Sequence, residues 1–331
     1  MTSLQVTVHP SCFPARQTAA VQAALRSRQV PGKLHYLSTA QTNAWLAVHQ
    51  HHSPSRADQE CRAAYDAAFA QATSLLRDGT EVAVVGLGAG GGQKDARLVR
   101  AVFDEGLFAV HLAHDVSVPM AITAVTAVHE AVPNVESFPL VADLLDADDL
   151  PGVVEGLVGE APRVVMFFGL IPNFEPAAIL PRLAAFIRPG DVLLFSANLA
   201  PGPDYRVGCE AVLPQYDNPE TRAWLWLFLK DLGFEEADGV MRFGLEPDPL
   251  NPELLRIVVH WDPTRRREVI VGGEAFVWNP GEPVRLFFSY RHTPRTIARL
   301  LTGEGLEVEQ QWITAGGGEG IFLCRQAPQP A

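Results

Sequence analysis

The chain has 331 residues, of which 47% are hydrophobic and 19% charged, with a formal net charge of -12 at neutral pH. This composition excludes a disordered or fibrous chain and allows one large or two modest domains. The acidic excess argues against nucleic acid, which needs a basic face, so small molecules or proteins are the expected partners. From residue 15 to 77 the pattern is Ala-rich, with apolar residues at three-four spacing over 19–27 and 61–76, which predicts two helices. The stretch "HQHHSPSRADQ" between them reads as irregular, and Ser55 or Asp58 is expected to cap the second helix, after Pro54.

From residue 81 to 200, apolar runs at 81–88, 107–117, 136–145, 162–173 and 191–199 alternate with helical patterns at 95–106, 119–132 and 176–187. Strands so apolar, separated by helices, predict a parallel sheet covered on both faces, a Rossmann-like domain. Beyond residue 200 a long helix over 218–233 precedes antiparallel segments at 253–262, 267–278 and 283–292, with "GGE" and "NPGEP" as turns. A helix at 293–305 and strands at 306–314 and 320–326 close the chain. Residues 1–60 and 201–285 are expected to form a smaller α+β substrate-binding domain, with 61–200 and 286–331 forming the Rossmann-like one.

Cys12, Cys61, Cys209 and Cys324 lie far apart with no CxxC, so no zinc ribbon, metal site or disulfide framework is expected and a cytoplasmic location fits. No basic-then-apolar leader opens the chain, and no run approaches the roughly 20 apolar residues that span a bilayer. The three arginines of "PTRRRE" read as a solvated hairpin end.

The stretch "EVAVVGLGAGGGQKD" carries the most chemistry. Glycines between a strand and a helix let backbone N–H groups approach a ligand at the helix N-terminus. A phosphate loop needs GxxxxGK[ST], but Lys94 follows Gln93 and precedes Asp95, so the pattern fails. Gly86, Gly88 and Gly91 do supply GxGxxG, with Gly90 in the same loop. Asp115, ending the second strand in "HLAHDVS", stands where an acid holds ribose hydroxyls, and Asp143 in "VADLL" stands at the third strand end where an adenine edge is met. Such features also describe a glycine-rich turn with two capping aspartates. Their fall at consecutive strand ends resembles class I S-adenosylmethionine methyltransferases, which implies that fold and that cofactor.

The order of segments is also similar to the histidine-specific methyltransferases of ergothioneine biosynthesis, which trimethylate the α-amino group of histidine. "VGLGAGGGQKD" resembles the family's "ELGSGxxxKT", "LAHDVS" its "VPVDVS", "VADLL" its "GDF" segment and "MFFGLIPNFEP" its "FLGSTIGNF". "QYDNPETRAWL" resembles "AYDDPxGVTAAF", "LFFSYRHT" stands at "TExSxKY", and "HHSPSRADQE" at "YYPTRAE", so the likeness runs from about residue 31 to 325. It implies cofactor contacts from Gly86, Gly88, Gly90, Lys94, Asp115, Asp143 and Leu144, with Lys94 facing the cofactor's carboxylate, and acceptor contacts from Asn173 and Tyr216.

Departures bear on the acceptor. Where the family grips imidazole with a Glu two residues before its Ser, this chain has Phe287 before Ser289. His52 and Ser53 replace the family's tyrosines, leaving His52 as a candidate to deprotonate an amine. The expected activity is N-methylation of an amino acid or amino-acid-like small molecule other than histidine, with His52, Asn173, Tyr216, Phe287 and Ser289 at the acceptor. O-methylation, a non-catalytic cofactor-binding role and a dehydrogenase remain open alternatives.

Overall fold

The structure, a computed structural model, describes residues 3–53, 58–76 and 81–327. It divides into two compact units, one of residues 1–11, 54–199 and 293–331 and one of residues 12–53 and 200–292. The boundary expected at 285/286 thus falls inside the strand Val284–Tyr290, and the chain leaves the second unit only after His292.

In the first unit an eight-stranded sheet runs in the order 7–8, 136–141, 108–115, 81–87, 163–167, 192–198, 319–326, 306–313. The first six strands pair in parallel, and the two from the C-terminal end of the chain join antiparallel. Neighbouring positions on Glu81–Leu87 go to opposite faces, as the period of two requires. Ala83 and Val85 pack with Leu180, Leu183 and Ile297 on one side, and Val82 and Val84 pack with Phe69, Leu98 and Val102 on the other. Burial on both faces is why this strand reads as an uninterrupted apolar run. The chain steps from Glu81–Leu87 outward through 108–115 and 136–141, then crosses back to 163–167 on the opposite side. The carboxyl end of Glu81–Leu87 is therefore the point where strand order reverses, the place where open α/β sheets bind ligands.

The second unit holds a three-stranded antiparallel sheet, ordered 284–290, 255–263, 239–247, and the hairpin 267–271/274–278 turning at Gly272 and Gly273. Trp261, Trp278 and Phe228 centre its core.

The helices and strands expected from the periodicity are present, with several additions. Thr39–His52 is helical, so "HQHH" is its last turn rather than irregular chain. A capping box starts it: Gln41 N–H donates to Ser38 Oγ at 3.2 Å and Ser38 N–H to Gln41 Oε1 at 3.1 Å. Asp58 caps the next helix, Gln59–Ser74, accepting from Glu60 N at 2.8 Å and Cys61 N at 3.3 Å. Pro54 and Ser55 lie outside the described residues. The helices Leu150–Val158 and Tyr205–Val212 and the strand Gly239–Pro247 also form. Among the described residues no helix is long and apolar enough to cross a membrane.

A buried ion pair joins the strand Arg163–Phe167 to the residue just before the strand Val192–Asn198. Arg163 Nε donates to Asp191 Oδ2 at 2.9 Å and its Nη2 to Phe186 O at 2.7 Å, with both side chains almost wholly enclosed. Removing one partner strands the other charge in the interior. Asp191→Ala is expected to cost about 3–5 kcal/mol in a urea unfolding titration, and a loss under about 1 kcal/mol would show that water reaches Arg163.

Candidate active site

The glycine loop is shaped by one carboxylate. Asp115, at the end of the strand Phe108–Asp115, accepts Gly90 N–H through Oδ2 at 3.1 Å and Ser117 N–H through Oδ1 at 3.0 Å. Ala89 N–H donates to His114 O at 2.9 Å, and Ala142 N–H to Asp115 O at 3.1 Å, so the ends of three adjacent strands are tied together. Burial pushes the Asp115 carboxyl up to about 6, and the backbone N–H donors pull it partly back.

Gly88, Gly90 and Gly92 all have positive φ, at 64°, 55° and 73°. At Gly92 a Cβ would also meet the Ala124 backbone at 2.4 Å, so the loop needs glycine there on both counts. At Gly86 the neighbouring Asp95 carboxylate would lie 1.9 Å from a Cβ. The helix Gln93–Asp104 follows, and its first turn carries Lys94.

Asp143 is nearly enclosed; its Oδ1 accepts Leu145 N–H at 2.9 Å, and its own N–H donates to Ser11 Oγ at 3.0 Å. Leu144 is half-buried against the core cluster of that face. Asn173 ends the short 3-10 turn Ile171–Asn173 beyond the strand Arg163–Phe167. Glu175 is the N-cap of the following helix Pro176–Phe186.

Lys94 lies in a set of side chains that the sequence reading leaves out. Its Nζ donates to Tyr65 Oη at 2.8 Å and stands 4.1 Å over the Tyr65 ring. Tyr65 Oη donates in turn to Glu319 Oε1, and Cys61 Sγ donates to Glu319 Oε2 at 3.4 Å. Burial lowers the Lys94 ammonium below its ordinary range, and the Glu319 carboxylate offsets part of that shift. Cys61 and Tyr65 share the buried face of their helix at i, i+4 spacing, a signal that marks core as readily as site.

Within the second unit, Tyr216 Oη lies 2.9 Å from Ser289 Oγ and accepts Arg291 Nη2 at 2.7 Å. A register shift between Arg285 and Phe287 precedes Ser289 on its strand. Phe287 packs with Trp224, Leu225 and Val259, edge-on to Trp224 with ring centroids 5.7 Å apart. Half-buried Tyr36, Trp45 and Tyr216 line the same cluster. Phe288 belongs to a different cluster, with Val258 and Tyr290. His52 ends its helix, its Nε2 3.0 Å from Glu220 Oε2, and that contact holds the Glu220 carboxyl below its ordinary range.

Residues 50–211 match the family model described as histidine-specific, S-adenosylmethionine-dependent methyltransferase. The chain is an S-adenosylmethionine-dependent methyltransferase, similar over residues 50–211 to that family. No curated protein matches it. Similar solved structures include the CcbJ methyltransferase from Streptomyces caelestis, at 13% identity and TM-score 0.39, covering 80% of this chain and 90% of that one. Magnesium protoporphyrin IX methyltransferase from Synechocystis PCC 6803, solved with bound S-adenosylhomocysteine, aligns at 12% identity and TM-score 0.45, covering 87% of this chain and 95% of the other.

The strand ends of this methyltransferase fit its cofactor chemically. A loop bare of side chains at Gly88 and Gly90 admits backbone approach, Asp115 and Asp143 offer carboxylate acceptors, and Lys94 offers a cation. Bound, S-adenosylmethionine supplies a methyl group activated by its sulfonium. A cofactor whose ribose hydroxyls donated to the ionised Asp115 would bind about tenfold more weakly at about pH 5 than at about pH 7. Calorimetric titration across that range reads the effect; a flat profile, or an Asp115→Asn variant with an unchanged slope, contradicts it.

Proposed function

We propose that this methyltransferase N-methylates an amino acid, or an amino-acid-like small molecule, other than histidine. The cofactor is taken to sit on Gly86, Gly88, Gly90, Lys94, Asp115, Asp143 and Leu144. The acceptor is taken to contact Tyr216, Ser289 and Phe287, and the family resemblance adds Asn173 and His52. The amine lone pair forms the new nitrogen–carbon bond while the carbon–sulfur bond of the cofactor breaks; S-adenosylhomocysteine leaves and the nitrogen loses a proton. Such a transfer asks chiefly for proximity, an in-line approach and a deprotonated amine.

The observation that carries the reading is the setting of Phe287. It replaces the family's imidazole-gripping carboxylate, is 8% exposed, and stands among Trp224, Val259 and Tyr216. An aromatic wall leaves the polar edge of an imidazole unpaired, at about 1–3 kcal/mol per group. Beside it, the Tyr216 and Ser289 hydroxyls supply hydrogen-bonding groups for a polar end.

Incubation with S-adenosylmethionine and a panel of amino acids and amines, read by mass spectrometry, tests the assignment. Methylation of nitrogen is expected on an acceptor with an apolar side chain. Histidine is expected at about fivefold to a hundredfold lower kcat/KM. Preference for histidine, or products methylated only on oxygen, would overturn the reading.

A further inference from the structure

A buried polar chain in the first unit ends on a charge at the start of the helix Gln93–Asp104. Tyr65, fully buried on the helix Gln59–Ser74, accepts from Lys94 Nζ through Oη at 2.8 Å and donates its own hydroxyl proton to Glu319 Oε1. The ammonium stands 4.1 Å over the Tyr65 ring and 5.4 Å over the Phe168 ring, and those two rings meet edge-on with centroids 5.1 Å apart. Glu319 opens the strand Glu319–Gln326 and pairs with Asn198, the last residue of the strand Val192–Asn198, so it stands at the carboxyl ends of the parallel strands. Its main chain is pinned there: Glu319 N–H donates to Thr314 Oγ1 at 3.3 Å, and Glu319 O accepts Thr314 N–H at 3.1 Å.

The Tyr65 hydroxyl stands between the two charges. A direct ion pair commits an ammonium to its carboxylate, whereas a hydroxyl that accepts from one and donates to the other relays the stabilisation and takes one of the ammonium's three N–H groups. Burial lowers the Lys94 ammonium, and Glu319 is foremost among the charges that offset it. The faces of Tyr65 and Phe168 restrict where the cation can stand. Stability alone gives little reason for such a set, since apolar residues of similar volume often serve a core as well as buried charges do. We propose that Tyr65 and Glu319 are positioning residues that fix the Lys94 ammonium, through the shared hydroxyl, for the carboxylate of S-adenosylmethionine. This rests on the placement of Lys94 in the proposed cofactor seat and extends that seat by two residues which the family resemblance does not assign.

The test compares S-adenosylhomocysteine with methylthioadenosine, which keeps the adenosine and the thioether but lacks the amino-acid end, by calorimetric titration. Wild-type protein is expected to bind S-adenosylhomocysteine about tenfold or more tighter. Tyr65→Phe keeps the ring and removes the hydroxyl; it is expected to weaken S-adenosylhomocysteine about tenfold and to leave methylthioadenosine within about twofold. Glu319→Gln removes the charge that offsets burial, so the alkaline loss of S-adenosylhomocysteine affinity is expected about one pH unit lower than in wild-type protein. The ligand's own groups titrate alike in both proteins, so the displacement belongs to the protein. Retained methylthioadenosine binding reports folding, and either variant by itself decides the question. An unchanged ratio of the two affinities in Tyr65→Phe, or an unmoved alkaline limb in Glu319→Gln, overturns the proposal, as does an equal weakening of both ligands in a folded variant. Lys94→Met separates the two ideas. A preference for S-adenosylhomocysteine that persists in Lys94→Met sinks the placement of Lys94 and the proposal with it, whereas one lost in Lys94→Met but kept in Tyr65→Phe sinks the positioning role alone.

Discussion

The cradle of the first unit depends on the two hydrogen bonds accepted by the Asp115 carboxylate. One oxygen holds Gly90 N–H and the other Ser117 N–H, so a single side chain sets the glycine loop and the turn after its own strand. Both bonds are charge-assisted and nearly enclosed, where an ionised acceptor interacts strongly and is costly to keep charged. The upward shift of this carboxyl expresses that cost. Loop glycines make the arrangement possible: three consecutive even positions adopt left-handed backbone, and Gly92 meets the helix Val118–Ala131 too closely for any side chain.

Around that clamp the sheet does the positioning. Strand order reverses at Glu81–Leu87, and the carboxyl ends of the strands at such a reversal are where open α/β sheets bind ligands. The glycine loop, Asp115 and Asp143 all lie at those ends because each follows one of three adjacent strands. The Lys94–Tyr65–Glu319 set adds a charge held by a neighbouring helix and by the start of the strand Glu319–Gln326. Burial lowers the pKa of this ammonium, and the neighbouring carboxylate offsets part of that shift.

The strands and helices of the first unit were legible because each buried strand writes an apolar run and each surface helix a three-four pattern. Leu150–Val158 escaped because Gly152 and Gly156 weaken a nine-residue pattern, and Thr39–His52 because its polar last turn of histidines resembles loop. The loop and the two strand-end aspartates were legible as motifs, since their chemistry is local in the chain. Tyr65 and Glu319 were not, being 254 residues apart and joined only by folding. Arg291, two residues past Ser289, donates to Tyr216, but nothing in a basic residue at a strand end distinguishes a buried one from a solvated one.

The proposed seat of the methyl donor is the glycine loop held by the Asp115 clamp. Calorimetric titration of S-adenosylhomocysteine into wild-type protein and into Asp115→Ala, with circular dichroism to establish that both are folded, measures it directly. Saturable one-site binding by the wild type and its loss in a folded Asp115→Ala protein is the expected result. Equal binding by the two proteins, or none by the wild type at millimolar ligand, would contradict it.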